Sequence, residues 1–266
     1  MMYVRAKKAL GQHFLKDEKV AKRIVDSLIL NGRSQVLEIG PGTGVLTKYL
    51  LENPAIRLEV AEIDPESIAC LQERFPQLLY SLQQRDFLKI PLEKIFQGEF
   101  AVIGNFPYNI SSQIFFKILD YKDTVPQVVC MLQREVAQRL TSGPGNKSYG
   151  ILSVLLQAWY DTEYLFTVDE NLFLPPPKVK SGVIRLIRNS RKELGCDYAL
   201  FKSIVKTTFN QRRKQIGNSL KPLCGERLRE LEGNRLLGLR PEQLSVEDFV
   251  TLTNYIKFET DTDQLL

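Results

Sequence analysis

Between residues 35 and 133 the sequence alternates short apolar runs with stretches of helical periodicity, and this alternation restricts the fold more than any other feature. The apolar runs are continuous, as in strands that are buried on both faces; they read QVLEIG, LEVAEI, LLYSLQQ, EFAVIGN and PQVVCMLQ. Between several of them lie the helical stretches VLTKYLLE, PESIACLQERF and SSQIFFKILDY. Strands that alternate with helices form a mostly parallel sheet with helices on both faces. We therefore predict an α/β fold.

The segments that flank this region add a helix and two strands. Residues 17–31 have apolar residues at helical spacing, and Asp17 is a suitable N-cap for that helix. The later runs EYLFTV and SGVIRLI predict two closing strands, for which an antiparallel edge pair is one arrangement.

The pattern changes after the last closing strand. The polar segment NSRKELG predicts a linker, and the pattern from there to the end is helical. The segment YALFKSIVKTTFNQRRKQIGNSLKPL predicts one basic helical stretch, and PEQLSVEDFVTLTNYIKF predicts a helix that opens with a proline and an acidic first turn. We place a domain boundary near residue 190, with an α/β domain at 1–189 and a small all-helical domain at 190–266.

Composition excludes several kinds of protein and of site. Apolar residues make up 44% of the 266 residues and charged residues 25%, which is typical of a globular protein. The sequence has no run long and apolar enough for a membrane span, and its basic start lacks the apolar segment of a secretory signal. We therefore expect a cytoplasmic protein with no membrane partner.

The four cysteines form no CxxC pair and His13 is the only histidine, so we expect no metal and no chemistry that needs several histidines.

The net charge of +5 is unevenly distributed. Residues 178–192 carry six basic side chains and no acid, and residues 202–229 carry eight basic side chains and one acid, Glu226. Either stretch alone is equally well explained as a solvated face. The two together favour a nucleic acid as the partner.

A glycine loop follows the first strand of the predicted sheet. Gly40, Gly42 and Gly44 let the backbone turn tightly and approach a ligand, and Glu62 ends the next strand, where a doubly wound fold holds a ribose diol. This arrangement suits either NAD or S-adenosylmethionine. The GxGxG spacing, and Glu38 just before the loop, favour S-adenosylmethionine, because a carboxylate suits a sulfonium and an ammonium better than a pyrophosphate. A glycine-rich turn without a ligand is the alternative.

Asp86 follows the third strand of the sheet, in the segment RDF. A carboxylate there can accept a hydrogen bond from an adenine amino group, although for this residue taken alone a loop-capping aspartate is the more common explanation. Its significance comes from its position, because it is the third acid at successive strand ends, where open α/β sheets bind ligands.

The segment NFPYN after the fourth strand indicates the chemistry. An exocyclic amino group is a poor nucleophile because its lone pair is delocalised into the ring. The side-chain oxygen of Asn105 and the backbone carbonyl of Pro107 could hold its hydrogens and favour a pyramidal nitrogen, while Tyr108 could stack on a base lifted out of its strand. No ionised general base is required. The alternative is a simple turn after a strand, for which these residues are also suited.

These motifs together resemble the ribosomal RNA adenine N6-dimethyltransferase family, in its bacterial small-subunit branch. They occur in the family's order: GQHFL at 11–15, EIGPGTG at 38–44, EID at 62–64, RDF at 85–87, NFPYNIS at 105–111 and FLPPPKVKS at 173–181. The resemblance is strong over residues 5–190, and the helical tail matches in size and basic character. It implies a Rossmann-like S-adenosylmethionine-dependent methyltransferase that dimethylates two adjacent adenines near the 3′ end of small-subunit (16S) ribosomal RNA. The implied enzyme is a monomer whose partner is this RNA in a pre-ribosomal small subunit.

The resemblance also implies roles for individual residues. Those implied to bind the cofactor are His13, Leu15, Gly40, Gly42, Glu62, Asp86 and Asn105. The target adenine is expected between Tyr108 and Phe173, with Phe14 lining the site. Bacterial members commonly have asparagine at the position of His13. A histidine can also donate and accept hydrogen bonds, so His13 is kept as a cofactor contact, and a helix-entry residue with no ligand is the alternative. Phe106 replaces a commoner leucine at a packing position.

The segment FLPPPKVKS can also be interpreted without the family. Its three prolines predict a stiff, extended loop that presents Phe173 at a fixed place, with Lys178 and Lys180 where an RNA backbone could pass. A rigid linker between the last two strands is the alternative.

Two other functions compete with small-subunit methylation. One is that of the macrolide-resistance relatives, which modify large-subunit ribosomal RNA. The other is a non-catalytic RNA-binding assembly factor on a methyltransferase fold. The intact NFPY segment argues against the assembly factor, and the GQHFL start with the FLPPPKV loop favours the small-subunit enzyme over the macrolide-resistance type.

Overall fold

The computed structural model describes residues 4–30, 32, 34–225 and 233–262, with side chains described to residue 257. The chain divides into two compact units, one made of residues 1–138 and 161–188 and the other of residues 139–160 and 189–266. Residues 139–160, which the sequence analysis assigned to the first domain, thus cluster with the second unit. Within the described ranges, no helix combines the length and the apolarity that a membrane crossing requires.

Most strands of the described chain belong to one sheet. The strands are β1 (Phe14–Leu15), β2 (Gln35–Ile39), β3 (Arg57–Glu62), β4 (Leu82–Gln84), β5 (Ala101–Asn105), β6 (Gln127–Gln133), β7 (Tyr160–Val168), β8 (Phe173–Leu174) and β9 (Ser181–Arg188). The sheet has the order β4-β3-β2-β5-β6-β9-β7. Neighbours from β4 to β6 are parallel, and β9 is antiparallel to β6. The predicted α/β sheet and its seven strands are confirmed.

The strand order reverses direction between β2 and β5, which are neighbours in the sheet although two strands separate them in the chain. In open α/β sheets, ligands bind outside the carboxyl ends of the strands at such a reversal. The glycine loop follows β2, and the NFPYN segment begins at the last residue of β5, so both lie at this point.

The helices of the described chain are α1 (Glu18–Asp26), α2 (Val45–Leu51), α3 (Pro65–Arg74), α4 (Ser111–Asp120), α5 (Arg134–Thr141), α6 (Ile151–Gln157), α7 (Tyr198–Asn210), α8 (Ile216–Cys224) and α9 (Val246–Thr262). The predicted N-cap of α1 is confirmed, because the Asp17 side chain accepts a hydrogen bond from the backbone N–H of Val20 at 2.8 Å. Helices α5 and α6 were not predicted.

The core of the first unit lies between the sheet and its helices. Strand residues such as Val36, Val60 and Ile103 are fully buried, and they share a cluster with Ile24 of α1 and Leu50 of α2. The continuous apolar runs of the sequence thus correspond to strands covered on both faces.

The second unit is mainly helical, and its helices differ from the prediction in two ways. The single basic stretch predicted from residue 198 is two helices, α7 and α8, because the chain leaves the helix at Gln211. Adjacent cations follow at 212–214, where the carbonyl end of α7 favours positive charge. The last helix begins at Val246 rather than at Pro241, which opens a short 3-10 turn instead.

A separate two-stranded sheet joins distant parts of the first unit. Strand β1 pairs antiparallel with β8, so that Leu15 lies opposite Phe173 and Phe14 opposite Leu174. Neither strand was predicted, because a two-residue strand has no periodicity that a sequence pattern can reveal.

Candidate active site

The site is a cavity of about 300 Å³ at the carboxyl ends of β2, β3 and β5. Its walls come from the segment 10–15, the glycine loop, the ends of β3 and β4, and the NFPYN segment. Of the residues that the sequence analysis assigned to the site, those that line the cavity are His13, Phe14, Leu15, Glu38, Gly40, Gly42, Glu62, Asp86, Asn105, Pro107 and Tyr108. All of them belong to the first unit.

The glycine loop has a backbone that only glycine adopts readily. Gly40 and Gly42 have φ angles of 65° and 55°, in the left-handed region. A Cβ atom on Gly42 would lie 2.8 Å from the ring of Phe14, so a side chain there would clash as well. Both the left-handed backbone and the contact with Phe14 therefore require glycine in this part of the cavity wall.

Glu62 is almost fully buried, with 5% of its surface exposed. Its Oε1 accepts hydrogen bonds from the backbone N–H groups of Ile63 and Asp64 at 2.8 and 2.9 Å, and its Oε2 accepts one from Gly42 at 3.1 Å. Burial raises the pKa of Glu62, while these three bonds act in the opposite direction. The carboxylate links the end of β3 to the glycine loop. Its Oε1 already accepts two hydrogen bonds, so Oε2 is the oxygen that retains a lone pair for a ribose hydroxyl.

Glu38 lies deeper, with 1% of its surface exposed. Its Oε2 accepts a hydrogen bond from the Thr47 hydroxyl at 2.6 Å, and its Oε1 is buried without a hydrogen-bond partner in the described chain. Burial, reinforced by the nearby charge of Glu62, raises the pKa of Glu38 to about 8. An unpaired buried carboxyl oxygen beside a cavity fits a cationic ligand, because such a ligand would supply the missing partner.

Asp86 begins the short 3-10 turn 87–89, and its Oδ1 accepts a hydrogen bond from the backbone N–H of Leu88 at 3.0 Å. Asp86 and Leu88 both line the cavity. The loop-capping role and the ligand role considered for Asp86 are compatible, because capping uses one carboxylate oxygen and leaves the other available.

Asn105, the last residue of β5, is held by the segment that covers the cavity. Its Nδ2 donates a hydrogen bond to the main-chain carbonyl of His13 at 2.9 Å. This contact fixes which way the amide points, so Oδ1 is the acceptor that remains for a ligand. The adjacent Phe106 is 1% exposed and packs edge-on against Phe115, which agrees with the packing role expected of it.

The next two site residues of the NFPYN segment also have defined partners. The carbonyl of Pro107 accepts a long hydrogen bond, 3.2 Å, from the backbone N–H of Ile110, and it retains a second lone pair. The Tyr108 hydroxyl is 2.5 Å from the hydroxyl of Ser181, and its ring stacks on the His13 ring with centroids 5.5 Å apart. Tyr108 is thus anchored at its hydroxyl end, which leaves its ring to define one wall of the cavity.

The N-terminal segment is fastened to the turn that carries Glu62. The Lys7 ammonium forms ion pairs with Asp64, which is buried, and with Glu66 at 3.1 Å. Gln12 donates a second bond to Asp64, at 3.3 Å. At the other end, Nδ1 of His13 is 2.8 Å from the carbonyl oxygen of Pro175.

Phe173 is a predicted site residue that the structure does not bring to the cavity. It is 1% exposed and belongs to the core cluster, opposite Leu15 in the β1–β8 pair. Its neighbour Leu174 is exposed instead. In the loop that follows, Lys180 pairs with Asp169 at 2.5 Å.

Sequence reasoning missed some residues that line the cavity, among them Ile63, Leu88 and Gln113. Ile63 is half exposed, and its position between Glu62 and Asp64 at a strand end was the available signal. Leu88 and Gln113 had no signal in the sequence, because neither belongs to a motif.

Among the residues that the structure describes, no group of three or more His, Cys, Asp or Glu side chains could hold a metal ion. In the second unit, the basic segment 212–214 lies between α7 and α8. Arg213 and Lys214 are exposed there, whereas Arg212 lies 3.6 Å from the carboxylate of Glu242.

Sequence relatives identify the family. A family model described as Ribosomal RNA adenine dimethylase matches residues 3–257. The chain is 60% identical over 253 residues to the Ribosomal RNA small subunit methyltransferase A of Parabacteroides distasonis, covering 95% of this chain and 94% of the relative. It is 55% identical to the protein of the same name from Bacteroides thetaiotaomicron, covering 97% and 96%.

Solved structures agree with this family. A dimethyladenosine transferase from Plasmodium falciparum has the same fold, with a TM-score of 0.77 at 23% identity over 93% of this chain and 98% of the other. The 23S rRNA methyltransferase ErmE is similar as well, with a TM-score of 0.66 at 28% identity over 91% and 99%. The predicted fold class, enzyme class and methyl donor are confirmed. The chain belongs to the ribosomal RNA adenine dimethylase family.

Proposed function

We propose that the chain transfers methyl groups from S-adenosylmethionine to the N6 atoms of two adjacent adenines near the 3′ end of small-subunit ribosomal RNA. The observation that carries the proposal is the orientation of the Asn105 amide in the cavity wall. Its nitrogen donates to the main-chain carbonyl of His13, so its oxygen is the atom that could accept a hydrogen bond from an amino group. The substrate is proposed to be a pre-ribosomal small subunit, bound by one copy of the enzyme in the cytoplasm.

The cavity suits S-adenosylmethionine because of its acids and its glycine loop. The left-handed backbone of Gly40 and Gly42 lets the loop approach a ligand closely. Glu62 is proposed to bind the ribose, and Asp86 is proposed to bind the adenine amino group. The unpartnered oxygen of Glu38 suits the positive end of the molecule. His13 and Leu15 complete the wall on the side of the N-terminal segment. When bound, the cofactor supplies an electrophilic methyl group on a sulfonium sulfur.

The NFPYN segment would prepare the target nitrogen. The Asn105 Oδ1 and the Pro107 carbonyl are proposed to accept the two N6 hydrogens of the unmodified adenine, which favours a pyramidal nitrogen with an available lone pair. The nitrogen would release one proton to water with each methyl group that it gains, so one hydrogen would remain for these acceptors in the second transfer. Stacking on Tyr108 would hold the base once it has left its strand. Polar groups that are already in place need no rearrangement when charge develops on the nitrogen, so they stabilise the transition state more than water does.

The second aromatic wall is proposed to come from Phe173. The structure holds this ring in the core, so stacking on the target base requires the 173–181 loop to move when RNA binds. The basic segment Arg212–Lys214 of the second unit is proposed to bind RNA phosphates, which would add affinity without base specificity.

The test is methyl transfer to small ribosomal subunits that lack the modification, with free large-subunit RNA as the competing substrate. Nucleoside mass spectrometry should detect N6,N6-dimethyladenosine at two adjacent positions of the small-subunit RNA only. Methylation of large-subunit RNA would assign the macrolide-resistance activity instead. Binding to the subunit without any methylation would assign an assembly factor.

A further inference from the structure

Lys117 lies outside the motifs and does not line the cavity, yet it contacts the turn that carries Asp86. It belongs to α4, the helix that follows the NFPYN segment. Its ammonium donates a hydrogen bond to the carbonyl of Phe87 at 2.6 Å and another to the carbonyl of Ile90. It also lies 4.9 Å from the centroid of the Phe87 ring.

The turn held in this way determines where Asp86 points. Within it, Lys89 N–H bonds to the carbonyl of Asp86 at 2.9 Å, and Ile90 N–H bonds to that of Phe87 at 3.1 Å. The Phe87 ring is buried, so the turn is fixed on its inner side, while Asp86 and Leu88 face the cavity. With Oδ1 of Asp86 bonded to Leu88, Oδ2 is the oxygen available to a ligand.

A single 3-10 turn of three residues is a weak structure, because it has few internal hydrogen bonds. An ammonium that donates to two of its carbonyls is a strong addition, since charged donors form the stronger hydrogen bonds. Burial lowers the pKa of Lys117, and the nearby carboxylates of Asp86, Glu93 and Asp120 oppose that effect. Lys117 thus fastens the turn to α4, the helix that follows the NFPYN segment.

We propose that Lys117 is a positioning residue, which holds the Asp86 turn so that its free carboxylate oxygen selects the adenine amino group of the cofactor. The inference rests on the proposed function, because it takes Asp86 as the adenine contact. It predicts that loss of Lys117 reduces the preference of the protein for ligands with an amino group, rather than an oxygen, at the 6-position of the purine. A residue that only stabilised α4 would lower affinity for every ligand equally.

The experiment compares two ligands by calorimetric titration of the full-length protein. S-adenosylhomocysteine has an amino donor at the 6-position, and S-inosylhomocysteine has an oxygen there, which would face the Asp86 carboxylate. The wild-type protein should prefer the adenosyl ligand. Lys117→Met should reduce that preference about tenfold or more, the effect of losing one charged hydrogen bond. Lys117→Arg, which keeps a charged donor, should retain most of it.

Lys89→Met is the matched control. Lys89 lies in the same turn and lines the same shallow groove as Lys117, but its side chain is exposed and forms no hydrogen bond in the described chain. The variant therefore loses the same charge without loss of the contact, and it should keep the wild-type preference. Lys117→Gln, which retains a shorter amide donor, is made in parallel so that folded protein is available if the methionine variant is unstable.

The outcomes separate this inference from the proposed function. A wild-type preference that Lys117→Met and Lys117→Gln leave unchanged overturns the inference alone. Equal weakening of both ligands also overturns it, because that result shows a structural role only. A wild-type protein that binds both ligands equally overturns the assignment of Asp86, and with it this inference. A reduced preference in Lys117→Met and Lys117→Gln, with Lys89→Met unchanged, supports both.

Discussion

The amide nitrogen of Asn105 donates to the main-chain oxygen of His13 across 92 residues of sequence, at 2.9 Å. The contact connects the end of a central strand to the segment that covers the cofactor cavity. It also separates the two ends of one amide, because the nitrogen holds the His13 segment and the oxygen, which takes no part in this contact, is the proposed acceptor for the substrate.

Asn105→Ala should therefore reduce the methyl-transfer step far more than it reduces stability. We expect a loss of about 10²–10³ in single-turnover rate at saturating RNA and cofactor, by analogy with removal of a preorganised donor in other enzymes. The melting temperature is recorded in parallel. A folded alanine variant with near wild-type rate would show that the amide has no catalytic role.

Asn105→Asp keeps an acceptor of the same shape but places a carboxylate against the carbonyl of His13, which then has no donor. The added charge also favours the cationic cofactor in the ground state, which reduces the benefit to the transition state. We expect residual activity above that of the alanine variant, measured in the same assay. Activity equal to wild type would contradict the orientation that the structure gives the amide.

Glu62→Ala should weaken cofactor binding by about 1.5–3 kcal/mol, the contribution of a charge-assisted hydrogen bond. Because Glu62 also binds three backbone N–H groups, Glu62→Gln is the better matched change and should show most of the same loss. Calorimetric titration measures both. Unchanged affinity in either folded variant would remove Glu62 from the cofactor site.

Glu38 should make stability depend on pH. Its pKa is about 8 in the folded protein and 4.5 ordinarily, so the folded state binds the proton more tightly than the unfolded state does. The resulting stabilisation is complete below about pH 4.5 and is lost as the pH rises through 8, at a rate of up to about 1.4 kcal/mol per pH unit. Glu38→Gln is neutral at every pH. Its stability relative to wild type should rise between pH 5 and 8 and then level off, as measured by urea unfolding.

The same carboxyl should couple cofactor binding to proton release. Near pH 7 Glu38 is mostly protonated, and a cationic cofactor beside it would lower its pKa. Titrations of S-adenosylmethionine in buffers of different ionisation enthalpy should show release of a proton, and Glu38→Gln should abolish the release. Equal proton release by wild type and variant would place its source elsewhere.

Neutralising Arg212, Arg213 and Lys214 should flatten the dependence of RNA affinity on salt. Each lost phosphate contact should reduce the slope of log affinity against log salt by about 0.9 in duplex regions. The control variant removes the exposed Lys19, Arg57 and Lys94 of the first unit, so that it loses the same charge. Equal slopes for the two triple variants would show that only the total charge matters. The affinity for the cofactor should stay unchanged in both variants.

Phe173→Leu tests whether the buried ring reaches the target base. Leucine retains much of the apolar volume that packs opposite Leu15, so the protein should fold. If Phe173 stacks on the adenine, the single-turnover rate should fall by about tenfold, the effect of losing one base–aromatic contact. An unchanged rate would restrict Phe173 to the core.

The sheet and much of the cavity could be predicted because both depend on local signals. Continuous apolar runs identify buried strands, and the carboxyl ends of parallel strands meet at one edge, so Glu38, Glu62 and Asn105 could be placed together. The burial of Glu38, and hence its raised pKa, could not be predicted, since it depends on how closely α2 and its Thr47 pack against the strand end.

The features that were missed depend on contacts between distant residues. The pairing of Lys7 with Asp64 and of Lys117 with the carbonyls of residues 87 and 90 leaves no pattern in one sequence. The burial of Phe173 follows from its pairing with Leu15, and no pattern in the sequence predicts that pairing either. The end of α7 at Asn210 was missed because the residues that follow it, QRRKQ, include good helix formers, and tertiary structure decided the boundary.

The pairing of β1 with β8 has a consequence for how the enzyme is made. His13 meets Pro175, 162 residues later in the chain, and Leu15 meets Phe173. During synthesis, the glycine loop, Glu62 and Asn105 all emerge before the strand that fixes the N-terminal wall. A nascent chain can therefore join the N-terminal wall to Asp64 and Asn105 first. The contacts of the wall with residues 173–175 form only when that segment has left the ribosome.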